Sequence, residues 1–452
     1  MTASWIAQNR HFIVISLCVF CLACLTSSSR GINTKSFMRA GKVLTVSLPV
    51  IFSVSYFFIW RILVARLRKS ACNKKKTNLS TDGENGFVFN LWFQVWMAAL
   101  FTILLFAHLV PLFMIFTGET TEVGVIPYLS FVCLGIFLIL AVILAIFEIV
   151  EFILRITLLK GLQWTWLQEN WPVTKAVVVV LIACGVVVVS LVNVAKGPVV
   201  KPLEMPVRKL PSSMNGLRIV QLSDVHVGPT LGLSQLRQAV NQANALNPDI
   251  IVITGDLVDS TVENLVETVK PLGQLKAKLG VFYVTGNHEY YTYDVKHWRA
   301  HLESLGIICL PNRHVRIANP ERPQDWFYLA GTNDVEGNAA YADRVEHFDL
   351  DRALEGTDSE HAIILLAHQP KAAKQAIQSR YDISLILSGH THGGQMFPVC
   401  IAAYLVNPYY SGIYQPKEGT YLYVSSGMWS SGPPMRLFSR AEVALITLLA
   451  YG

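Results

Sequence analysis

Charge is scarce in this sequence: 15% of its 452 residues are Asp, Glu, Lys or Arg, where soluble domains carry about 25%. With 52% hydrophobic residues and a mean hydropathy of +0.41, that deficit excludes a disordered chain and argues against a wholly soluble one. The G-x-x-x-x-G-K-[ST] and G-x-G-x-x-G phosphate loops and the G-x-S-x-G elbow are also missing. Nothing therefore points to a nucleotide fold or a serine nucleophile. No repeat at solenoid or propeller spacing is visible. Cysteine is thin where a disulfide framework would need it. Of the 8 cysteines, Cys18, Cys21, Cys24, Cys133 and Cys184 lie in apolar stretches, Cys72 in a basic loop, and only Cys309 and Cys400 beyond residue 200. Two are too few for a disulfide-dense domain. Cys18, Cys21 and Cys24 share a zinc-like spacing, but their apolar setting reads as small residues in a helix.

The charge that is present is divided. Residues 1–200 hold 16 Lys and Arg against 7 Asp and Glu, a net of +9; the remainder holds 21 against 24, a net of −3. The basic half is also the apolar half. Apolar stretches cover residues 12–26, 43–65, 91–116, 126–150 and 176–195, and the last four reach the ~20 residues that cross a bilayer as helix. Stretch 12–26 is shorter and reads as a span or a signal-peptide core. Residues 1–196 are thus expected to form a multi-pass α-helical membrane region of about five spans.

Arg66, Arg68, Lys69, Lys74, Lys75 and Lys76 mark loop 66–86, and Arg155, Lys160 and Lys175 mark loop 151–175. Loop 117–125 has no basic residue. The positive-inside rule makes the first two loops cytoplasmic and puts everything after residue 196 on the luminal or extracellular side. Arg30, Lys35, Arg39 and Lys42 in loop 28–42 run against this orientation. The sequon at Asn78 falls in a loop assigned to the cytoplasm, so it does not report sidedness. The basic run 66–76 abuts a span and contains no aromatic residue. It reads as orienting charge, and no nucleic-acid partner is expected. Trp164, Trp166 and Trp171 read as an interfacial belt, and Glu148 and Glu151 as a solvated segment end.

Segment 197–215 carries Pro198, Pro202, Pro206 and Pro211; it cannot be one helix and is expected as an extended linker. Beyond it, residues 216–452 alternate short apolar runs with polar helical stretches. The runs are LRIVQL (217–222), DIIVIT (249–254), VFYVT (281–285), AIILLA (362–367) and SLILS (384–388). Between the first two, apolar residues at 236, 239, 240, 243 and 246 recur at helical spacing. Strand–helix alternation over this length implies a single α/β domain.

Every one of those runs is followed by residues that bind metals. Asp224 and His226 follow the first, Asp256 and Asp259 the second, and Asn287, His288 and Glu289 the third. His368 follows the fourth; His390 and His392 follow the fifth. Ligand sites in α/β sheets gather beyond the carboxyl ends of strands, so distant loops can converge on one site. Asp-x-His and His-x-His project two side chains to one side of an extended segment. Gly255, Gly286 and Gly389 are expected to let the backbone turn sharply before them.

Asp-x-His, Gly-Asp-x-x-Asp, Gly-Asn-His-Glu, His and Gly-His-x-His, in that order, resemble the calcineurin-like metallophosphoesterases. The resemblance covers residues 213–452, and it implies an αββα sandwich holding two metal ions. Asp224, His226, Asp256 and His392 would hold one ion; Asp256 would bridge to a second, held also by Asn287, His368 and His390. Mixed oxygen and nitrogen donors suit divalent or trivalent Mn, Fe or Zn. A hydroxide held between the ions would attack phosphorus in line. His288 would stabilise the transition state or protonate the leaving oxygen, with Asp259 and Glu289 orienting neighbouring groups. Asn333-Asp334 stands where related bacterial enzymes lead one to expect Asp-Asp. Gly432 and Arg436, in SGPPMRLF, resemble a closing family segment, with Arg436 read as a phosphate contact or a structural ion pair.

The function implied is a membrane-anchored metal-dependent hydrolase of phosphate esters: a monoester, a diester or a pyrophosphate. The tether makes a lipid-linked phosphate the natural substrate guess. The rivals are a non-catalytic metal-binding membrane scaffold of the same fold, and a transporter. For the latter, only the stretch around Asn90, Gln94, His108 and Pro111 offers polar interruptions.

Overall fold

A computed structural model describes residues 124–157, 165–340 and 347–451, with a few positions between 99 and 107. The expected spans 12–26 and 43–65, and nearly all of 91–116, lie outside the described residues, as do loops 28–42 and 66–86. Two compact units divide the chain, one centred on Ile136–Val187 and the other on Val188–Gly452. Two long helices are described, Val125–Thr157 and Thr165–Ala195. Within them, Val125–Leu154 and Thr174–Ala195 are long and apolar enough to cross a membrane, matching the fourth and fifth stretches.

In the first unit Lys175 is buried and pairs with Glu148 and, at 2.6 Å, with Glu151. Trp171 Nε1 donates to the same Glu151 carboxylate at 3.0 Å. The two acids are therefore partners of a buried ammonium rather than a solvated segment end. A cation among apolar side chains has to be neutralised where it sits.

The described residues of the second unit form twelve strands. They are β1 (Val199–Arg208), β2 (Arg218–Leu222), β3 (Ile250–Thr254), β4 (Val281–Val284), β5 (Ile308–Cys309) and β6 (Arg313–Asn319). Then come β7 (Arg322–Gly331), β8 (Ile363–Leu366), β9 (Leu385–Ser388), β10 (Gly412–Lys417), β11 (Thr420–Val424) and β12 (Glu442–Tyr451). They build two six-stranded mixed sheets, ordered β1-β12-β2-β3-β4-β5 and β10-β11-β9-β8-β7-β6. β2 to β5 are parallel, as are β7, β8, β9 and β11.

The strands read as unbroken apolar runs because both faces are covered. Along β3, Ile250 and Val252 face the core between the sheets, shared with Phe327, Leu329, Ile364 and Leu387. Ile251 and Ile253 face an outer core with Leu236, Ala239, Val240 and Ala243. Those four form the buried stripe of the helix Leu233–Ala245. On the far side, Ile363, Leu365 and Ile386 pack against Ala372, Ala373 and Ala376 of the helix Pro370–Ile377. The layers run helix, sheet, sheet, helix.

Within the segment 197–215 expected as a linker, Val199–Arg208 is strand β1, paired in parallel with β12 along its whole length. Its prolines are tolerated because β1 is an edge strand. Pro202 and Pro206 share one parity, so both missing N–H groups can face the open edge.

Candidate metal centre

The carboxyl ends of β2, β3, β4, β8 and β9 deliver all of the sequence-predicted site residues to one place. Three groups have ligand atoms mutually within 4.8 Å: Asp224, His226 and His392; His226, Asp259 and His288; and Asp256, His368 and His390. Asp256 Oδ2 lies 3.2 Å from His368 Nε2 and 3.7 Å from His226 Nε2, between the first and third groups. Asn287 Oδ1 lies 3.2 Å from His368 Nε2 and 2.7 Å from His390 Nδ1.

The backbone is bent hard to achieve this. Asp224, His226, Asp256, His390 and His392 all sit at φ between 49° and 72°. A non-glycine residue there costs on the order of 1–3 kcal/mol and persists only where its surroundings impose it. The strain therefore falls largely on the candidate ligands themselves. Gly255 takes φ 85°, but Gly286 and Gly389 serve chiefly by lacking a side chain. A Cβ on Gly286 would stand 2.2 Å from Asp256 Oδ1, and one on Gly389 2.3 Å from Asp224 Oδ2.

Fixed partners orient the histidine rings. His226 Nδ1 donates to Asp259 Oδ1 at 2.8 Å, which turns its Nε2 lone pair toward His392 Nε2 at 3.0 Å. His392 Nδ1 lies 3.2 Å from the Trp429 carbonyl and 3.3 Å from Arg436 Nη2. His368 Nδ1 donates to the Thr254 carbonyl at 2.7 Å, which leaves Nε2 facing Asp256 Oδ2 and Asn287 Oδ1 at 3.2 Å each. Imidazole nitrogens and carboxyl oxygens gathered this closely are a good donor set for cations, so the residues fit a pair of metal ions.

The electrostatics point the same way. Burial and the neighbouring cationic groups hold His390 down at about 3 and His392 well below the ordinary histidine range, both neutral as ligands must be. Burial opposes charging of His368, but the Asp256 and Asp224 carboxylates raise it well above its usual value. The buried acids thus call for positive charge. His288 is likewise opposed by burial yet held up to about 9 by Asp256 and Asp259. Its Nδ1 donates to Asp259 Oδ1 at 2.8 Å, so one carboxylate oxygen orients both His226 and His288.

Glu289 braces the loops. Its side chain is buried and accepts from the backbone N–H groups of Asp256, Leu257, Val258 and Gly286 at 2.6–3.2 Å. Burial and the Asp256 charge push its carboxyl up to about 7. Glu289→Ala strands those buried donors, and is expected to cost about 3 kcal/mol or more. An unchanged melting temperature would show that the loops hold without it.

With this geometry in hand, comparison with known proteins is decisive. Residues 217–394 match the calcineurin-like phosphoesterase family model. A Danio rerio protein named transmembrane protein with metallophosphoesterase domain is 44% identical over 78% of this chain and 80% of its own length. Its Bos taurus namesake is 40% identical over 87% of this chain and 86% of its own length. This chain belongs to the calcineurin-like metallophosphoesterases. Its site is that of a metal-dependent phosphoester hydrolase. A Danio rerio dimetal phosphatase structure aligns with 52% of this metallophosphoesterase and 99% of its own chain, at 14% identity and a TM-score of 0.31.

The reading of Arg436 changes, and Asp334 acquires a role. Arg436 has no carboxylate partner within hydrogen-bonding distance among the described residues. It is fully buried and donates to the carbonyls of Ser426 (2.7 Å), Trp429 (2.9 Å from Nε) and His392 (3.3 Å). A planar cation with five donors suits this cage, which clamps the strained His392 turn. Asp334 is buried, accepts from Gln369 Nε2 at 2.8 Å and is pushed up to about 7 by burial. It supports the residue next to His368. Sequence reasoning missed the carbonyls of Thr254 and Trp429, because main-chain acceptors carry no residue signature.

Proposed function

We propose that this chain is a membrane-anchored, two-metal hydrolase of phosphate esters. Asp224, His226, Asp256 and His392 hold one ion, and Asp256, Asn287, His368 and His390 hold the other. The observation that carries this reading is the convergence of three carboxylate–histidine groups whose ligand atoms lie mutually within 4.8 Å, with Asp256 Oδ2 between His226 Nε2 and His368 Nε2. Mn, Fe or Zn, once bound, would activate water and neutralise phosphoryl oxygens.

The chain's own residues do the rest. Asp259 fixes the rings of His226 and His288 through one oxygen. Arg436 locks the His392 backbone. His288, 27% exposed where His226, His368 and His392 are buried, holds a proton at Nε2 for the leaving oxygen. The substrate class is a monoester, diester or pyrophosphate, and tethering favours a phosphate carried on a lipid. The apolar stretches support a multi-pass anchor, and the basic loops support a luminal or extracellular catalytic half.

The full chain, purified in detergent and loaded with Mn, is expected to hydrolyse a chromogenic phosphodiester. A chelator should abolish turnover and fresh metal should restore it. No cleavage of mono-, di- or pyrophosphate by folded, metal-loaded protein would leave the scaffold reading standing.

A further inference from the structure

The helix Val399–Val406 reads Val-Cys-Ile-Ala-Ala-Tyr-Leu-Val, and none of its eight side chains is buried. Tyr404, Leu405 and Val406 are 66%, 75% and 63% exposed. A helix apolar on every face belongs in a core or in lipid, and this one has no core among the described residues. Its base is anchored to the metal-site loop. Cys400 N donates to the Met396 carbonyl at 3.0 Å, and the Tyr404 ring packs on Tyr410, whose hydroxyl donates to the Gly393 carbonyl at 2.7 Å.

Tyr410 and Gly393 line a cavity of about 430 Å³ that is also lined by Val199, Lys201, Phe438 and Arg440. Phe438 is 87% exposed and sits at φ 69°. A left-handed aromatic residue aimed into solvent is held there by its surroundings. Those surroundings include the end of the helix Thr165–Ala195. Arg436 N donates to the Ser190 carbonyl, and Asn193 Nδ2 to the Arg436 carbonyl, both at 3.1 Å. The apolar part of that helix, Thr174–Ala195, is long enough to cross a bilayer. Phe438 thus lies beside the end of a helix long enough to cross a bilayer, and shares its cavity with Tyr410, on which Tyr404 of the apolar helix packs.

We propose that the helix Val399–Val406 and Phe438 form a membrane-docking surface seated in the interfacial zone of the bilayer. The cavity beside the metal centre then opens at the level of the lipid headgroups. This rests on the membrane-anchored reading above. The composition fits a lipid surface: Ile401, Leu405, Val406 and Phe438 supply apolar depth and Tyr404 an amphipathic ring, while exposed Arg440 faces anionic headgroups. It does not fit a second copy of the chain, because one two-turn helix and one aromatic fall short of the roughly 800 Å² per partner that a stable dimer buries.

The test uses the full wild-type chain in nanodiscs of phosphatidylcholine and phosphatidylserine carrying a photoactivatable acyl-chain diazirine, with labelled peptides mapped by mass spectrometry. Peptides covering 399–406 and Phe438 should be labelled about tenfold above the helix Leu233–Ala245. Leu405→Glu combined with Phe438→Glu should remove that label and leave labelling of Val177–Val192 intact. Label on Val177–Val192 alone overturns the docking surface and leaves the anchor; label on neither overturns both. The readout needs no turnover, so an inactive chain in the hydrolysis assay does not bear on it.

Discussion

Asp256→Asn is expected to empty the centre and abolish hydrolysis while leaving the fold in place. Asp256 Oδ2 stands 3.2 Å from His368 Nε2 and 3.7 Å from His226 Nε2, the one carboxylate oxygen positioned for both halves. Asparagine removes the charge that compensates two cations, and its amide is a weaker donor to either. Bound metal should fall from two ions to one or none, and kcat/KM by about 10³-fold or more. The choice of asparagine matters. Asp256 Oδ1 also accepts from His288 N at 2.9 Å, and an amide oxygen keeps that bond, so the turn survives. The melting temperature of metal-free protein should change little, whereas the rise on adding metal should vanish. Two ions retained at wild-type affinity would sink the bridging assignment. Loss of the metal-free fold would show that the carboxylate does structural work beyond its contact to His288.

How much of this was legible beforehand follows from where the information lies. The five strands that carry the site are unbroken apolar runs because both faces are buried, and each is followed directly by its polar cluster. Side-chain identity and order were therefore enough to foresee convergence. Strain on Asp224 and His392 was not legible, since nothing in a residue's name records a positive φ. The prolines of 197–215 looked like a linker because an edge strand and a linker share one local signature, an extended chain with few N–H donors. Arg436 looked like a phosphate contact or a structural ion pair because its type suits both. Its real partners, the carbonyls of Ser426, Trp429 and His392, are groups every residue has. The helix Val399–Val406 went unremarked because eight apolar residues are too few for a span and ordinary for a core segment. Its exposure is a tertiary fact.

His288→Ala is expected to do the opposite of Asp256→Asn: both ions stay and turnover goes. The His288 side chain is 27% exposed, and its Nε2 approaches Asp256 Oδ2 only to 4.0 Å. Its Nδ1 is spent on Asp259, and Asp256 and Asp259 keep its pKa near 9. A group so placed touches the metal site from outside and carries a proton at neutral pH. Removing it should cost about 10²- to 10⁴-fold in kcat, the usual worth of a positioned acid. The loss should depend on the leaving group. A nitrophenolate departs without a proton, so the variant should lose less on a nitrophenyl ester than on an alkyl ester. Equal losses on both would assign His288 to charge stabilisation rather than proton donation, and unchanged turnover would remove it from the mechanism. Asp259→Asn cannot replace this experiment, because the same oxygen orients His226, and a fall in rate would mix lost metal with lost acid.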